Sequence, residues 1–267
     1  MTIRQYAPAD VPQLTALWRR VFGDRQSYIE AFFRLLPDVG SAAVAADAEG
    51  RILGMACALT GFELLGTPER RRVGYIYAVA VDESARGRGL GAAVTKKAAD
   101  ICRGQGCDII ATLPADDGLY DFYSTVIGTD FTLQRRERRA EAGKKVDIIN
   151  VSTTEYMLRR ESMLRMRPHL HPSYPMLELQ RVLCLEYGGG LYACGDAILA
   201  ACLDGGALEI VEILCAAGDT AKIAADAAAS LGAAEARWSE SIAAGGERYI
   251  ASDTPLPPDT VWNIALE

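Results

Sequence analysis

Histidine is nearly absent from this chain: 267 residues hold two, His169 and His171, lying between prolines at 168 and 172. Two isolated imidazoles in a Pro-containing linker do not specify a metal site, and no metal is expected. No apolar run reaches the roughly 18 residues of a membrane-spanning helix. The opening Met-Thr-Ile-Arg-Gln-Tyr carries no apolar leader, so a cytoplasmic protein without a membrane partner is expected. Positive charge is in deficit as well, with 28 Lys+Arg against 35 Asp+Glu and a formal net charge of −7. That balance argues against nucleic acid as the main partner and suits an amine-bearing one. Cysteines occur at 57, 102, 107, 184, 194, 202 and 215, with no C-x-x-C pair among them. Most sit in apolar segments, which reads as buried free thiols in a reducing compartment. No G-x-x-x-x-G-K-[ST] exists, which excludes a Walker phosphate loop.

What the sequence does contain is Val79-Ala-Val-Asp-Glu-Ser-Ala-Arg-Gly-Arg-Gly-Leu-Gly-Ala92. A hydrophobic strand, beginning near Arg72, runs into an Arg/Gly loop that opens a helix. The first turn of a helix leaves N–H groups unpaired at its positive end, a ready seat for phosphate. Gly87, Gly89 and Gly91 let the main chain turn tightly and come close to a ligand. Arg86 and Arg88 add charge for phosphate oxygens. Three glycines and two arginines within six residues exceed what a tight strand-to-helix connection needs. A dinucleotide fingerprint would read G-x-G-x-x-G after the first strand; here the order is G-x-G-x-G after several strands. The spacing Arg86-x-x-Gly89-x-Gly91 resembles the acetyl-CoA pyrophosphate loop of the GNAT (general-control-related N-acetyltransferase) superfamily.

The pattern around this loop is consistent with that resemblance. A strand at 2–6 precedes a helix carrying Val11, Leu14, Leu17, Trp18 and Val21, then a helix over about 26–36 that ends before Pro37. Strands follow at 41–46, 52–65 and 72–81, then the loop, a helix to about Arg103, and a strand at 107–113. A helix after Pro114-Ala-Asp-Asp-Gly118 and a strand at 131–136 complete a β-α-α-β-β-β-α-β-α-β order. The basic runs Arg70–Arg72 and Arg135–Arg139 read as solvated loops or strand edges. Downstream, Val146–Ile149, Val182–Tyr187, Leu191–Cys194, Ala197–Leu203, Ala207–Cys215 and Ala236–Glu240 read as strands, and Thr220–Leu231 as a helix. The expected class is therefore a mixed α/β (α+β) sheet protein. Its proposed parts are residues 1–140 as the GNAT domain, 141–177 as a connection, and 178–267 as a smaller GNAT-like lobe. The counterpart loop in that lobe, Cys215-Ala-Ala-Gly-Asp-Thr220, has one glycine and no arginine, so no cofactor chemistry is expected of it. An unrelated small α+β domain is the alternative for this half.

The resemblance implies acetyl-CoA as co-substrate and a direct transfer of its acetyl group to a small-molecule amine in a ternary complex. By the same resemblance, main-chain groups of Val79 and Val81 hold the pantetheine arm and polarise the carbonyl. The N–H groups of Gly87, Arg88, Gly89, Leu90, Gly91 and Ala92, with Arg86, take the pyrophosphate. The family's proton donor is a tyrosine in an F-Y-x-x-x-G-F pattern. Phe122-Tyr123 fits it, although Gly128 arrives one residue late and Phe131 is separated from it. Tyr120 is the rival, because Gly-Leu-Tyr is similar to the G-I-Y of Eis-type aminoglycoside acetyltransferases. A phenol can protonate a departing thiolate without large tuning. The base is poorly specified: Glu30, Glu63 and the terminal carboxylate of Glu267 are candidates, with Tyr75 and Tyr77 on one strand face. A non-catalytic acyl-CoA sensor is the alternative function, and transfer of a longer acyl or aminoacyl unit a third. Strand edges would also allow pairing into a homo-oligomer.

Overall fold

The computed structural model describes residues 1–216 and 218–263. The first half runs β1 (Thr2–Gln5), α1 (Val11–Phe22), α2 (Gln26–Val39), β2 (Gly40–Ala46), β3 (Ile52–Leu65), β4 (Arg71–Val81), α3 (Leu90–Gly104), β5 (Ile109–Thr112), α4 (Asp117–Ile127) and β6 (Phe131–Glu141). The second runs β7 (Ile149–Asn150), α5 (Thr153–Leu164), β8 (His169–Pro172), α6 (Tyr174–Glu186), β9 (Gly190–Cys194), β10 (Ala197–Asp204), β11 (Ala207–Leu214), α7 (Thr220–Leu231), β12 (Glu235–Ile242) and β13 (Glu247–Ser252).

The thirteen strands of the described residues join one sheet in the order β1-β2-β3-β4-β5-β13-β6-β12-β11-β10-β9-β7, with β8 added on β3. Two stretches repeat one plan. In β2-β3-β4-α3-β5 and in β9-β10-β11-α7-β12, three antiparallel strands lead through a helix to a fourth strand parallel to the third. The link between the copies is β6. Its first residues pair with β13 on one side (Phe131↔Ser252 to Arg135↔Glu247). Its whole second part pairs with β12 on the other (Gln134↔Ile242 to Glu141↔Glu235). The last strand of the chain therefore returns to the first half and lies between β5 and β6.

Helix α3 packs Leu90, Val94, Ala98, Ile101 and Cys102 against Ala43, Ala45, Ala56, Ala58, Ile76 and Ile110 on one sheet face. Small strand residues let the helix lie close: a Cβ on Gly74 would fall 2.5 Å from Cys102 Cβ. The opposite face is covered by α1, α2 and α6 through Leu14, Trp18, Phe32, Leu36, Met176 and Leu183.

Several local expectations are corrected. Residues 182–187 form no strand; Val182–Glu186 finish α6, which buries Met176, Leu179, Gln180 and Leu183 at helical spacing. Ser173 caps it by accepting the Met176 N–H, with Pro175 in the first turn. A short apolar run does not by itself separate buried helix from strand. Helix α2 passes Pro37 and ends at Val39, because a proline in the last turn removes a single hydrogen bond. Of 146–149, Ile149 alone is in a strand. The Arg135–Arg139 run lies in β6, as a solvated strand edge: β13 stops at Arg135, and residues 136–139 are exposed and pair with β12 alone, where Arg138 meets Glu240 at 3.0 Å.

Candidate active site

A fork between β4 and β5 defines the site. The two strands pair in parallel from Val73↔Ile109 to Ile76↔Thr112, and there β5 ends. Strand β4 continues to Val81, so among the described residues no strand lies beside its edge over Tyr77–Val81 on that side. Thr112 Oγ1 closes the crotch of the fork by donating to Ile76 O at 3.0 Å.

A bulge lies at the same level. On the β3 side the register passes from Met55↔Ala80 to Cys57↔Tyr77, so Ala56 faces two residues. The extra residue, Ala78, has φ of 50°. That is a conformation rarely adopted by a residue with a side chain, and bulges of this kind re-aim the backbone beside functional sites. Beyond it, Asp82 N–H donates to Leu53 O at 2.8 Å, toward β3. By alternation Val79 and Val81 turn their main-chain groups to the open edge. The structure thus brings both predicted valines to the fork.

The glycine loop follows directly. Asp82 accepts hydrogen bonds from Ser84 N (3.1 Å) and Ser84 Oγ (2.6 Å) and pairs with Arg20 at 2.9 Å, which fixes the entry to the turn. Gly87 and Gly89 both sit at φ 75°, with nothing within 4 Å of the position a Cβ would take. Gly89 is the cap residue of α3, and no side chain caps the helix. The first helical bond is Ala93 N–H to Gly89 O, at 3.1 Å. Gly91 is the close-packed member, 3.6 Å from Val81 Cγ2 by the same measure. Arg86, Gly87, Arg88 and Gly89 are exposed, Leu90 is buried, and Gly91 and Ala92 are half-buried. A polyanion would meet open N–H groups, and the residues fit a CoA pyrophosphate.

The two tyrosines part company. Asp116 caps α4 by accepting the Leu119 N–H, and Tyr120 and Tyr123 are both buried along that helix. The Tyr123 hydroxyl lies beside the Thr112 side chain, at the fork. Burial pushes its phenol up to about 12. Tyr120 donates instead to Tyr249 O at 2.8 Å, with the Arg248 guanidinium 4.1 Å over its ring. Burial raises it to about 12 as well, opposed by Arg248 and Arg135.

On the other side of β4 a cavity of about 780 Å³ opens between the two halves. Its wall includes Asp24, Tyr28, Arg135, Tyr187, Trp238, Tyr249 and Trp262. The Tyr28 hydroxyl on the cavity wall is 3.2 Å from that of Tyr77, the residue before the bulge. Burial pushes both phenols well up. Asp24 accepts from Trp18 Nε1 (2.8 Å) and from the Tyr187 hydroxyl (3.1 Å).

Asp24, Tyr249 and Trp262 were not among the residues expected from sequence. Asp24 follows the Gly23 that ends α1, so its place after a helix stop was readable but its tertiary neighbours were not. Of the expected bases, Glu30 is exposed and bonded to Gln26 (2.7 Å), and Glu63 pairs with Arg70 near the far end of β3. Neither lines the cavity. Glu267 lies outside the described residues.

Residues 11–128 match the Acetyltransferase (GNAT) family. This segment is a GNAT domain. Acyl transfer is the chemistry of that family. Likeness to solved structures extends further than the family match. A conserved protein of unknown function from Enterococcus faecalis superposes with TM-score 0.69 at 15% identity, covering 94% of this chain and 72% of its own. A GCN5-related N-acetyltransferase from Kribbella flavida gives 0.63 at 15% identity, over 94% and 71%. Eis1 from Mycobacterium abscessus gives 0.62 at 11%, over 94% and 73%. At these identities the likeness is one of fold, and it takes in the second half as well as the GNAT domain. No curated protein matches the chain.

Proposed function

We propose that this protein transfers the acetyl group of acetyl-CoA to a small-molecule amine by direct attack in a ternary complex. The observation that carries the reading is the fork: an open β4 edge at Val79 and Val81 running straight into a helix start with uncapped N–H groups. The N–H groups from Gly87 to Ala92, with Arg86 and Arg88, bind the pyrophosphate. The pantetheine arm lies along the open edge in the place of a missing strand. The Val79 N–H polarises the thioester carbonyl, an oxyanion-type contact that strengthens as charge develops.

The amine enters from the 780 Å³ cavity, and its nitrogen attacks the acetyl carbon. The C–S bond then breaks, and Tyr123, at the fork, gives its proton to the departing thiolate. Thr112 spends its one hydroxyl proton on Ile76 O, so toward the Tyr123 hydroxyl it can only accept. Of the carboxylates on the cavity wall, Asp24, beside Tyr28 and Tyr187, takes the amine's proton. Tyr120, held to Tyr249, positions β13.

We keep residues 178–246 as a second lobe without cofactor chemistry that closes the acceptor cavity. The strand at 247–252 belongs with the first lobe.

Calorimetric titration with acetyl-CoA, on the wild type and on Gly89→Glu, tests the reading. Micromolar binding by the wild type that is lost in the variant supports it, since the new carboxylate occupies the pyrophosphate seat. No binding by the wild type overturns both the transferase and the sensor. Release of CoA in the presence of amines separates those two, because a sensor binds without consuming thioester.

A further inference from the structure

The two histidines that the sequence reading set aside do not lie in a linker. They sit at alternate positions of β8, a strand pinned to the end of β3 by the pairs Leu65↔His169 and Glu63↔His171. Alternate strand residues share a face, and helix α5 presents Glu161 to it. His169 Nε2 is 3.1 Å from Glu161 Oε2, and His171 Nδ1 is 2.8 Å from Oε1. The three donor atoms all lie within 4.8 Å of one another. Ligands about 2.1 Å from a tetrahedral metal are roughly 3.4 Å apart, so small side-chain shifts would close such a shell.

Two features point to an ion at the centre. His169 is 1% exposed, and its Nδ1 is 2.8 Å from Arg167 O. A carbonyl only accepts, so Nδ1 donates to it, and Nε2 is aimed at the cluster, 3.1 Å from Glu161 Oε2. This is the outer-shell arrangement that orients metal-binding imidazoles. His171 Nδ1 is likewise hidden from solvent, and despite its closeness to Glu161 it makes no hydrogen bond of acceptable geometry. Two imidazole nitrogens thus converge on one carboxylate, and one of them, His171 Nδ1, is left without a hydrogen bond. Arg160 Nη1, 3.1 Å from Glu161 Oε1, holds the carboxylate from behind, and Arg160 is itself paired with buried Glu212 at 3.0 Å.

We propose that Glu161, His169 and His171 form a binding site for a divalent transition metal, zinc by its donor set, with a fourth position open to solvent. Two imidazoles and one carboxylate suit Zn²⁺ better than the all-oxygen shells of Mg²⁺ or Ca²⁺. The site ties α5 to β8, and β8 in turn holds the end of the described chain. Val261 N–H donates to Pro168 O at 2.8 Å and Leu170 N–H to Val261 O at 3.0 Å, and the next residue, Trp262, lines the acceptor cavity. A bound metal therefore braces the segment that carries one cavity wall, and its role is structural.

The experiment is a titration of the metal-stripped full-length protein with ZnCl₂ alone, followed by calorimetry and by thermal unfolding. His171→Ala and Glu161→Gln are the variants, since both positions are partly exposed and tolerate change. The proposal expects one saturable equivalent at micromolar affinity or tighter, with a rise in Tm of several degrees that scales with zinc concentration. Each variant should weaken that affinity by tenfold or more and abolish the Tm rise. Cobalt(II) should give the intense visible bands of a four-coordinate site in the wild type alone. Absence of saturable binding overturns the proposal. So does binding that both variants retain, which would place zinc on the partly exposed thiols of Cys194, Cys202 and Cys215.

Discussion

Tyr120 and Tyr123 lie on the same buried face of one helix, and what distinguishes them is the atom each hydroxyl meets. Tyr123 meets a threonine side chain at the fork, whereas Tyr120 meets a backbone carbonyl of β13. Steady-state kinetics on the two phenylalanine variants should separate them. Tyr123→Phe is expected to lower kcat by about 10²-fold or more, the usual worth of a positioned general acid, while acetyl-CoA affinity stays unchanged. Tyr120→Phe should keep kcat and lose about 1 kcal/mol of stability with its hydrogen bond. The same burial sets an alkaline limit. Both phenols stand at about 12 in the fold against an ordinary value of 10.0, so the folded state favours the neutral form. Stability is then intact below about pH 10 and declines as pH climbs toward about 12. Denaturant midpoints measured across that window should fall less steeply when both tyrosines are phenylalanine.

Element by element, the site is made by where strands stop. β5 is four residues long and β4 is eleven, and the difference leaves the edge that the cofactor needs. Helix α3 can present its first turn beside that edge because it lies close on β4, and Gly74 permits the approach. Gly74→Ala would put its Cβ against Cys102, so overpacking should cost about 1–3 kcal/mol and lower the Tm. Binding of acetyl-CoA should weaken in step, as the helix start is pushed outward. The glycine loop itself was fully legible in the sequence, because Gly/Arg spacing is a local signal that needs no partner. Helix α6 was not. Its apolar end, Val182–Glu186, satisfies strand and helix patterns alike, and the deciding period begins upstream at Met176. The two histidines lie on a strand and not in a linker for a related reason: what makes β8 a strand is its pairing with β3, which is distant in sequence.

For the whole molecule, the decisive feature is the return of the chain to its first half. β13 pairs with both β5 and β6, and β6 is shared between the two repeats of the sheet. A chain ending at residue 246 would leave two strand edges open in the middle of the sheet and remove Tyr249 and Ile250 from the main core. Such a truncation should yield aggregated or unfolded protein, seen as loss of the cooperative thermal transition. The cavity is likewise a property of the assembly. Asp24 comes from the turn between α1 and α2, Tyr187 from the end of α6, and Trp238 from β12. Any half alone contributes a wall and no enclosure.

The sequence by itself determined the mixed α/β class, the glycine loop with its helix, the tyrosine helix and the repeated plan of the two halves, since each is written in spacings within one short segment. The tertiary structure decided the rest: the fork, because it depends on where two strands stop pairing; the split roles of Tyr120 and Tyr123, because each depends on a distant carbonyl or hydroxyl; and the insertion of β13, because nothing in a six-residue strand names the neighbours between which it will lie.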